Sequence, residues 1–332
     1  MKIGVIGAGT WGMALARLLA NKGYDVEVFS VVEKEIEELN RTRIHKNLPD
    51  MIIPDSLRFT NDKKSVCKDK DILLCAVASV YVRSTMELLK DYIADNQIIV
   101  TVTKGIEADS LMSMSEVIED VLKNKNVKVV ALSGPTHAEE VALDMPTTIV
   151  SACKDKKIAE YVQDIFMDTC LRVYTNDDIL GIELCGALKN IIALAAGISN
   201  GLGNGDNARA AIITRGMVEM TRLGLAMGAH KDSFAGLAGI GDLIVTATSN
   251  HSRNNRCGML IGQGKDIEKA IEEVGMVVEG INALPAAMKL MKKYSVEMPI
   301  TSMVNAIVNK QIDPKDAIDA LMSRDKKQEN II

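Results

Sequence analysis

The chain has no excess of basic charge, no paired cysteines, no internal repeat and no low-complexity linker, and each absence removes a class of function. With 39 Lys+Arg against 44 Asp+Glu the net charge is -5, whereas a general nucleic-acid binder needs a basic surface to displace counterions from phosphates. The 6 cysteines (Cys67, Cys75, Cys153, Cys170, Cys185 and Cys257) include no CxxC spacing. They read as buried thiols in a reducing cytoplasm, with neither a disulfide frame nor a metal site. No uninterrupted apolar run reaches the ~18 residues of a membrane span. The opening MKIGVIGAG runs into glycines too soon for a signal peptide.

What is present is an ordinary globular balance, 47% hydrophobic and 25% charged over 332 residues. That length predicts two domains, since single cores stop growing near ~250–300 residues. Residues 2–6 form a short β-branched run, and Gly7-Ala8-Gly9-Thr10-Trp11-Gly12 then opens a helical pattern through Ala14, Leu15, Leu18 and Leu19. This is GxGxxG between a strand and a helix. Gly7 permits the tight turn, Gly9 lets backbone approach a pyrophosphate, Gly12 lets the helix pack on the strand, and the helix start supplies amide donors. A second strand is expected over residues 25–30, after a turn at Asn21-Lys22-Gly23. About 20 residues past the glycines, where an acid often meets the adenosine ribose, the chain reads Ser30-Val31-Val32-Glu33-Lys34. Glu33 could reach ribose hydroxyls and Lys34 a 2′-phosphate, so NAD and NADP are poorly distinguished here.

Residues 71–78 and 97–103 are continuous apolar runs of the kind buried on both faces of a parallel sheet. Further runs at 128–132 and 147–152 continue the alternation of β and α segments. Ligands in open α/β sheets sit beyond the carboxyl ends of the strands, which places Ser79, Lys104, Gly105 and the turn at 133–136 beside the cofactor. Beyond about residue 178 the strand pattern gives way to helices punctuated by glycines. The expected architecture is an α/β Rossmann-type parallel-sheet domain at 1–177, then an all-α domain at 178–332 ending in a charged, frayed tail at 323–330.

The chain is organised around Lys189, in GIELCGALKNIIALAAGISNG. As far as Ile198 only Glu183, Lys189 and Asn190 interrupt that apolar run, and a lysine inside a buried helix needs a partner or a chemical task. Three further pieces concentrate polar residues: Lys104 in TKGIE, Asp242 in GLAGIGDLIVTATSN, and Ser252-Arg253-Asn254 in HSRNNRCGMLIGQG. Separately each has a structural explanation, as a solvated lysine or a helix cap. Together they make an acid/base pair and an anion site, in which a helix start presents amides and the Arg253 fork gives bidentate contact.

From GAGTWGMALA through VTKGIE, SGPTHAEEV, ALKNIIALAAGISNGLGNGDNARAAIITRG, GLAGIGDLIVTATSNHSRNNRCGMLIGQG and VVEG to VEMPIT, the sequence resembles soluble bacterial NAD(P)-dependent glycerol-3-phosphate dehydrogenase. The resemblance implies that Lys189 is the proton donor and acceptor, Lys104 the second substrate lysine, and Asp242 the acid that orients the lysine and the reacting hydroxyl. It implies substrate contacts at Gly134 and Thr136 and a phosphate site at Ser252, Arg253 and Asn254. Gly7, Gly9, Thr10, Trp11, Gly12, Lys104, Ala138, Arg253, Val277 and Glu279 correspond to cofactor contacts, with Asn190 and Thr246 as supporting members. The implied cofactor is NAD or NADP, and the substrate pair is dihydroxyacetone phosphate and sn-glycerol 3-phosphate, bound between the domains. The glycine- and Met-rich stretch at 215–228 could pack a subunit partner in a homodimer, although internal packing is the commoner use of small residues, and His137 is given no role. One departure is that the family often carries an aromatic and then a basic residue where Ser30-Val31-Val32 stand here. Two rival readings are a dehydrogenase of unphosphorylated hydroxy or keto acids, which needs no anion site, and a non-catalytic nucleotide sensor, which needs no Lys104, Lys189 and Asp242.

Overall fold

A computed structural model describes residues 1–326, 328 and 329; of the expected frayed tail, Lys327 and Asn330 lie outside the described residues. The chain forms two compact units, Met1–Lys104 with Met112–Ile179, and Gly105–Leu111 with Leu180–Ile332.

The first unit is built on eight strands: β1 Lys2–Ile6, β2 Asp25–Phe29, β3 Arg58–Thr60, β4 Ile72–Cys75, β5 Ile98–Thr101, β6 Lys128–Ser133, β7 Thr147–Ala152 and β8 Leu171–Asn176. Their order is β3-β2-β1-β4-β5-β6-β7-β8. β1 lies where the order reverses, so the crevice at its carboxyl end falls between β1 and β4, as in a doubly wound nucleotide-binding sheet. All pairings are parallel except β6 with β7. The connection between those two holds just a four-residue helix, Ala138–Val141, too little to carry a parallel crossover back across the sheet.

Two strands escape a search for continuous apolar runs. β3 has three residues with Phe59 alone buried. β8 is the edge strand LRVYTN, which buries Leu171 and Val173 and exposes Arg172 and Tyr174 in a period-two alternation. One core lies on each face of the sheet, the first including Ile3, Val5, Leu15 and Leu19, and the second Ile6, Phe29, Leu73 and Ile99.

The second unit is helical. Its axis is the 23-residue helix Ile179–Gly201, in which every residue from 181 to 199 is buried. By length and composition this helix could cross a membrane, but its burial inside the unit makes it a core helix, apolar on all sides because protein surrounds it. Against it pack Gly205–Met227, Asp242–Thr248, Arg253–Gly262 and Glu279–Tyr294. Contact with Arg253–Gly262 is backbone to backbone. A Cβ on Gly197 would lie 2.2 Å from the Asn255 oxygen, on Gly201 2.2 Å from Met259 O, on Gly258 2.2 Å from Leu194 O and on Gly262 2.2 Å from Ile198 O. Two glycines four residues apart on each helix thus form a double ridge-free stripe, and any side chain there would force the helices apart. Within 215–228, Gly216 faces the Ile192 side chain and Gly224 the Phe234 ring.

Candidate active site

In the first unit, Gly7 sits at φ +113, a conformation that side chains strain to adopt, and a Cβ there would meet the Ala76 carbonyl at 2.8 Å. Its amide donates to Phe29 O at 2.9 Å, which joins the glycine loop to the end of β2. A Cβ on Gly12 would lie 2.3 Å from Gly7 O, so this glycine permits the close packing of the helix Thr10–Asn21 on the loop. Gly9 differs: a Cβ there would meet nothing within 4 Å. The protein's own packing does not demand glycine at this position, whereas a ligand lying on the backbone does. Nearby, the Trp11 Nε1 is buried without a hydrogen-bond partner among the described residues, and the first-turn amides of Thr10, Trp11 and Gly12 have no intrahelical acceptor. A glycine facing open space, an orphaned donor and a helix start all fit an anionic dinucleotide.

His45 supports this loop from below. It is buried, accepts from Asn47 N through Nδ1 at 3.3 Å and places Nε2 3.1 Å from Ala8 O. That pattern fixes a neutral imidazole with its hydrogen on Nε2. Burial pushes its pKa below the ordinary histidine value, against opposing effects of the Ala8 carbonyl and Glu35.

Beyond β5 and β6 a second cluster forms. Lys104 Nζ donates to Gly134 O at 3.0 Å, and Thr136 Oγ1 donates to the same carbonyl at 3.1 Å. These three residues, separate in sequence, meet at one carbonyl. Gly134 is there because a Cβ would crowd Ile149 Cα and Thr148 O, both at 3.0 Å. The adjacent Ser133 hydroxyl is buried with no partner among the described residues. Ala138 starts the short helix beyond this turn and is buried.

In the second unit, Lys189 is 4% exposed and Asp242 0%. The ammonium donates to Asp242 Oδ1 at 2.5 Å and to Thr246 Oγ1 at 2.6 Å. Thr246 in turn donates to Asp242 O at 2.6 Å, so lysine, acid and hydroxyl form one closed unit. Asp242 opens its helix directly after a π-helical turn, Leu237–Gly241. Such turns insert a residue into the helical register and re-aim the side chains of the next turn. Gly239 is required there, since a Cβ would lie 2.1 Å from Phe234 O.

At the start of Arg253–Gly262, Ser252 caps the helix by accepting from Asn255 N at 3.2 Å. Asn254 is buried and its amide is engaged at both ends: Nδ2 donates to Asn190 Oδ1 at 2.9 Å, and Oδ1 accepts from Gly280 N at 2.8 Å. The side chains of Ser252 and Asn254 therefore brace the helix start, while the guanidinium of the half-buried Arg253 and the first-turn amides are what that start offers to an anion. Asn254 also ties Gly280 to the central helix. Glu279 begins that next helix, and Val277, 37% exposed, precedes it.

Residues 2–159 match the NAD-dependent glycerol-3-phosphate dehydrogenase N-terminus, and residues 178–319 match the C-terminus of the same family. The chain belongs to the NAD-dependent glycerol-3-phosphate dehydrogenase family. A relative from Lactobacillus delbrueckii, glycerol-3-phosphate dehydrogenase [NAD(P)+] 2, is 61% identical over 99% of this chain and 98% of its own. One from Fusobacterium nucleatum is 50% identical with the same coverage. The crystal structure of glycerol-3-phosphate dehydrogenase from Coxiella burnetii superposes with a TM-score of 0.93 at 36% identity, covering 97% of this chain and 99% of that one.

The sequence marks the main polar residues and two of the groups that brace them. Thr246 and Asn190 were expected as supporting members, and both hydrogen-bond directly to expected site residues. His45 was missed, as a lone histidine in a loop carries no pattern. Two residues beyond the expected Glu33, Glu35 Oε2 accepts from Ser30 Oγ at 2.6 Å.

Proposed function

We propose that the protein reversibly reduces dihydroxyacetone phosphate to sn-glycerol 3-phosphate with NADH or NADPH, and that Lys189 is its acid/base. The dinucleotide, when bound, supplies the hydride that reaches the carbonyl carbon. Lys189 donates a proton to the carbonyl oxygen, so that C=O becomes CH–OH; in the reverse direction the neutral amine takes that proton back. Asp242 and Thr246 hold Nζ in one position through the change of charge, which a free four-carbon chain could not do. Arg253 and the amides at its helix start take the substrate phosphate. Lys104, Gly134 and Thr136 are assigned to the substrate, and Lys104, Ala138, Arg253, Val277 and Glu279 to the dinucleotide beside the loop from Gly7 to Gly12.

The observation that carries this reading is the buried Lys189–Asp242–Thr246 unit in a chain of this family. Two charges withdrawn from water stabilise a fold poorly compared with apolar residues of the same volume, so their presence asks for a chemical reason. The test follows oxidation of NADH and of NADPH with dihydroxyacetone phosphate and, separately, with unphosphorylated dihydroxyacetone. Turnover requiring the phosphate supports the reading, and turnover of an unphosphorylated keto acid in its place overturns it.

In this role the product is a precursor for glycerophospholipids. A cytoplasmic location belongs to the same proposal, supported by six free cysteines of which five are buried, and fractionation tests it. A homodimer is also proposed. Because Gly216 and Gly224 are engaged internally, the contact would use the more exposed first half of Gly205–Met227, and sedimentation reads the result.

A further inference from the structure

We infer that Glu35, held by Ser30 at the carboxyl end of β2, recognises the ribose 2′-hydroxyl of the dinucleotide and makes the site selective for NADH over NADPH. The inference rests on the dehydrogenase reading above and decides what that reading leaves open.

In a sheet of this topology the adenosine ribose lies beyond β2, where an acid accepts from the 2′-hydroxyl or an arginine receives a 2′-phosphate. Ser30 organises this corner. Its hydroxyl donates to Glu35 Oε2 at 2.6 Å and accepts from Val32 N at 3.1 Å, while its carbonyl accepts from Asn61 Nδ2 at 2.7 Å. Glu35 is thereby fixed at the strand end with Oε1 left to accept, and among the described residues no cation pairs with it. Its charge raises the pKa of His45, whose Nε2 contacts Ala8 O, while Lys46 lowers it.

The surrounding charges disfavour a 2′-phosphate. Glu33 and Glu35 both occupy the first turn of the helix Glu33–Thr42, satisfying the helix start that would otherwise attract an anion. The nearby arginine is committed elsewhere: Arg43 donates to Leu57 O and Pro54 O and lies over the Phe59 ring. Val31 and Val32 are 64% and 53% exposed and offer an apolar shelf suited to adenine, without charge. Lys34 is the one cation of the first turn, and it stands between two carboxylates in sequence.

Trp11 is the single tryptophan, so binding can be read without turnover. The full chain is titrated with NADH and with NADPH at one ionic strength, following Trp11 quenching and energy transfer to the reduced nicotinamide. NADH is expected to bind at least about tenfold more tightly, as burying an acceptor against a phosphate in place of a hydroxyl is strongly discriminating. Glu35→Gln, which keeps an acceptor for Ser30 and removes the charge, should narrow that ratio to about threefold or less. NADPH binding as tight as NADH in the unaltered protein overturns the selectivity and leaves the dehydrogenase reading intact; failure of both to bind overturns both. An unchanged ratio in Glu35→Gln, or a loss of NADPH affinity alone in Lys34→Gln, overturns the assignment to Glu35.

Discussion

The two units use the same residue types for opposite purposes. In the first, Gly7 bends the backbone and Gly9 bares it, so that amides and an indole donor face the space a dinucleotide needs. In the second, Gly197, Gly201, Gly258 and Gly262 remove side chains so that two helices touch along their backbones. The polar groups differ in the same sense. Lys104 and Thr136 both rest on the carbonyl of Gly134 in a strand-end turn, whereas Lys189, Asp242 and Thr246 satisfy one another out of contact with water. The lesson is that a binding loop needs unsatisfied donors and open space, while a proton-transfer group needs its position fixed by neighbours that are themselves immobile.

The sharpest test of that contrast is Lys189→Ala. Turnover should fall by about 10²–10⁴-fold, the usual contribution of a positioned acid/base, while NADH binding measured by Trp11 fluorescence stays nearly unchanged. The same change leaves Asp242 buried without its cation and should cost roughly 3–5 kcal/mol of stability. Lys189→Met combined with Asp242→Asn should recover much of that stability and none of the activity, as seen by denaturant titration beside an assay. Retained turnover in a folded Lys189→Ala protein removes the lysine from its role.

A second test compares buried titrating groups. Glu219 accepts from Ile300 N at 2.6 Å, Thr301 N at 3.1 Å and Thr301 Oγ1 at 3.0 Å, capping the helix Pro299–Val308. Burial nevertheless pushes its carboxyl up to about 7 from 4.5. A raised folded-state value means that the folded protein holds the proton more tightly, so its contribution is complete below pH 4.5 and is lost as pH rises to 7. That loss is on the order of 3 kcal/mol in the second unit, and Glu219→Gln should flatten the dependence in urea titrations. His45 runs the other way, with its folded-state value lowered. Its contribution to the first unit is present above pH 6.5 and lost in more acidic solution, and His45→Gln should flatten that limb.

Smaller effects separate the two kinds of glycine. Gly258→Ala forces a Cβ to within 2.2 Å of Leu194 O, where backbone meets backbone, and should destabilise by about 1–3 kcal/mol. Its effect on activity should appear mainly as a raised KM for the phosphorylated substrate, because Arg253 and Asn254 head the displaced helix. Gly9→Ala meets nothing within 4 Å and should leave stability within about 0.5 kcal/mol, while dinucleotide affinity drops. Thermal melts with and without NADH distinguish the two, and equal destabilisation by both would erase the contrast. Smallest of all, Thr246→Val should lower turnover modestly, by about tenfold, since Asp242 still holds the lysine.

How much was legible depends on the kind of signal each feature leaves. Strands buried on both faces, such as Ile72–Cys75 and Ile98–Thr101, read as apolar runs, so they were visible; β3 and β8 were not, being respectively too short and half exposed. The reversal between β6 and β7 leaves no mark on either strand, because pairing direction depends on the connection. Lys189 was visible as an interruption of an apolar helix, and Ser252-Arg253-Asn254 as a polar cluster before a helical run. That Asn254 faces inward, bridging Asn190 and Gly280, is a matter of three elements meeting.

By itself the sequence determined the glycine turn at the end of β1, the alternation that builds the sheet, the apolar helix around Lys189 and the family to which the chain belongs. Those features arise from local backbone freedom and from periodic burial, which are written along the chain. Tertiary structure alone decided that Ile106 and its neighbours in Gly105–Leu111 join the second core, where Lys289 also holds the Ala108 carbonyl at 2.7 Å. It decided too that Ser30 selects Glu35 over Glu33, and that Thr246 closes the lysine–acid pair. Such choices depend on which polar groups come within about 3 Å of one another once apolar burial has fixed the backbones, and no spacing rule within one element contains that distance.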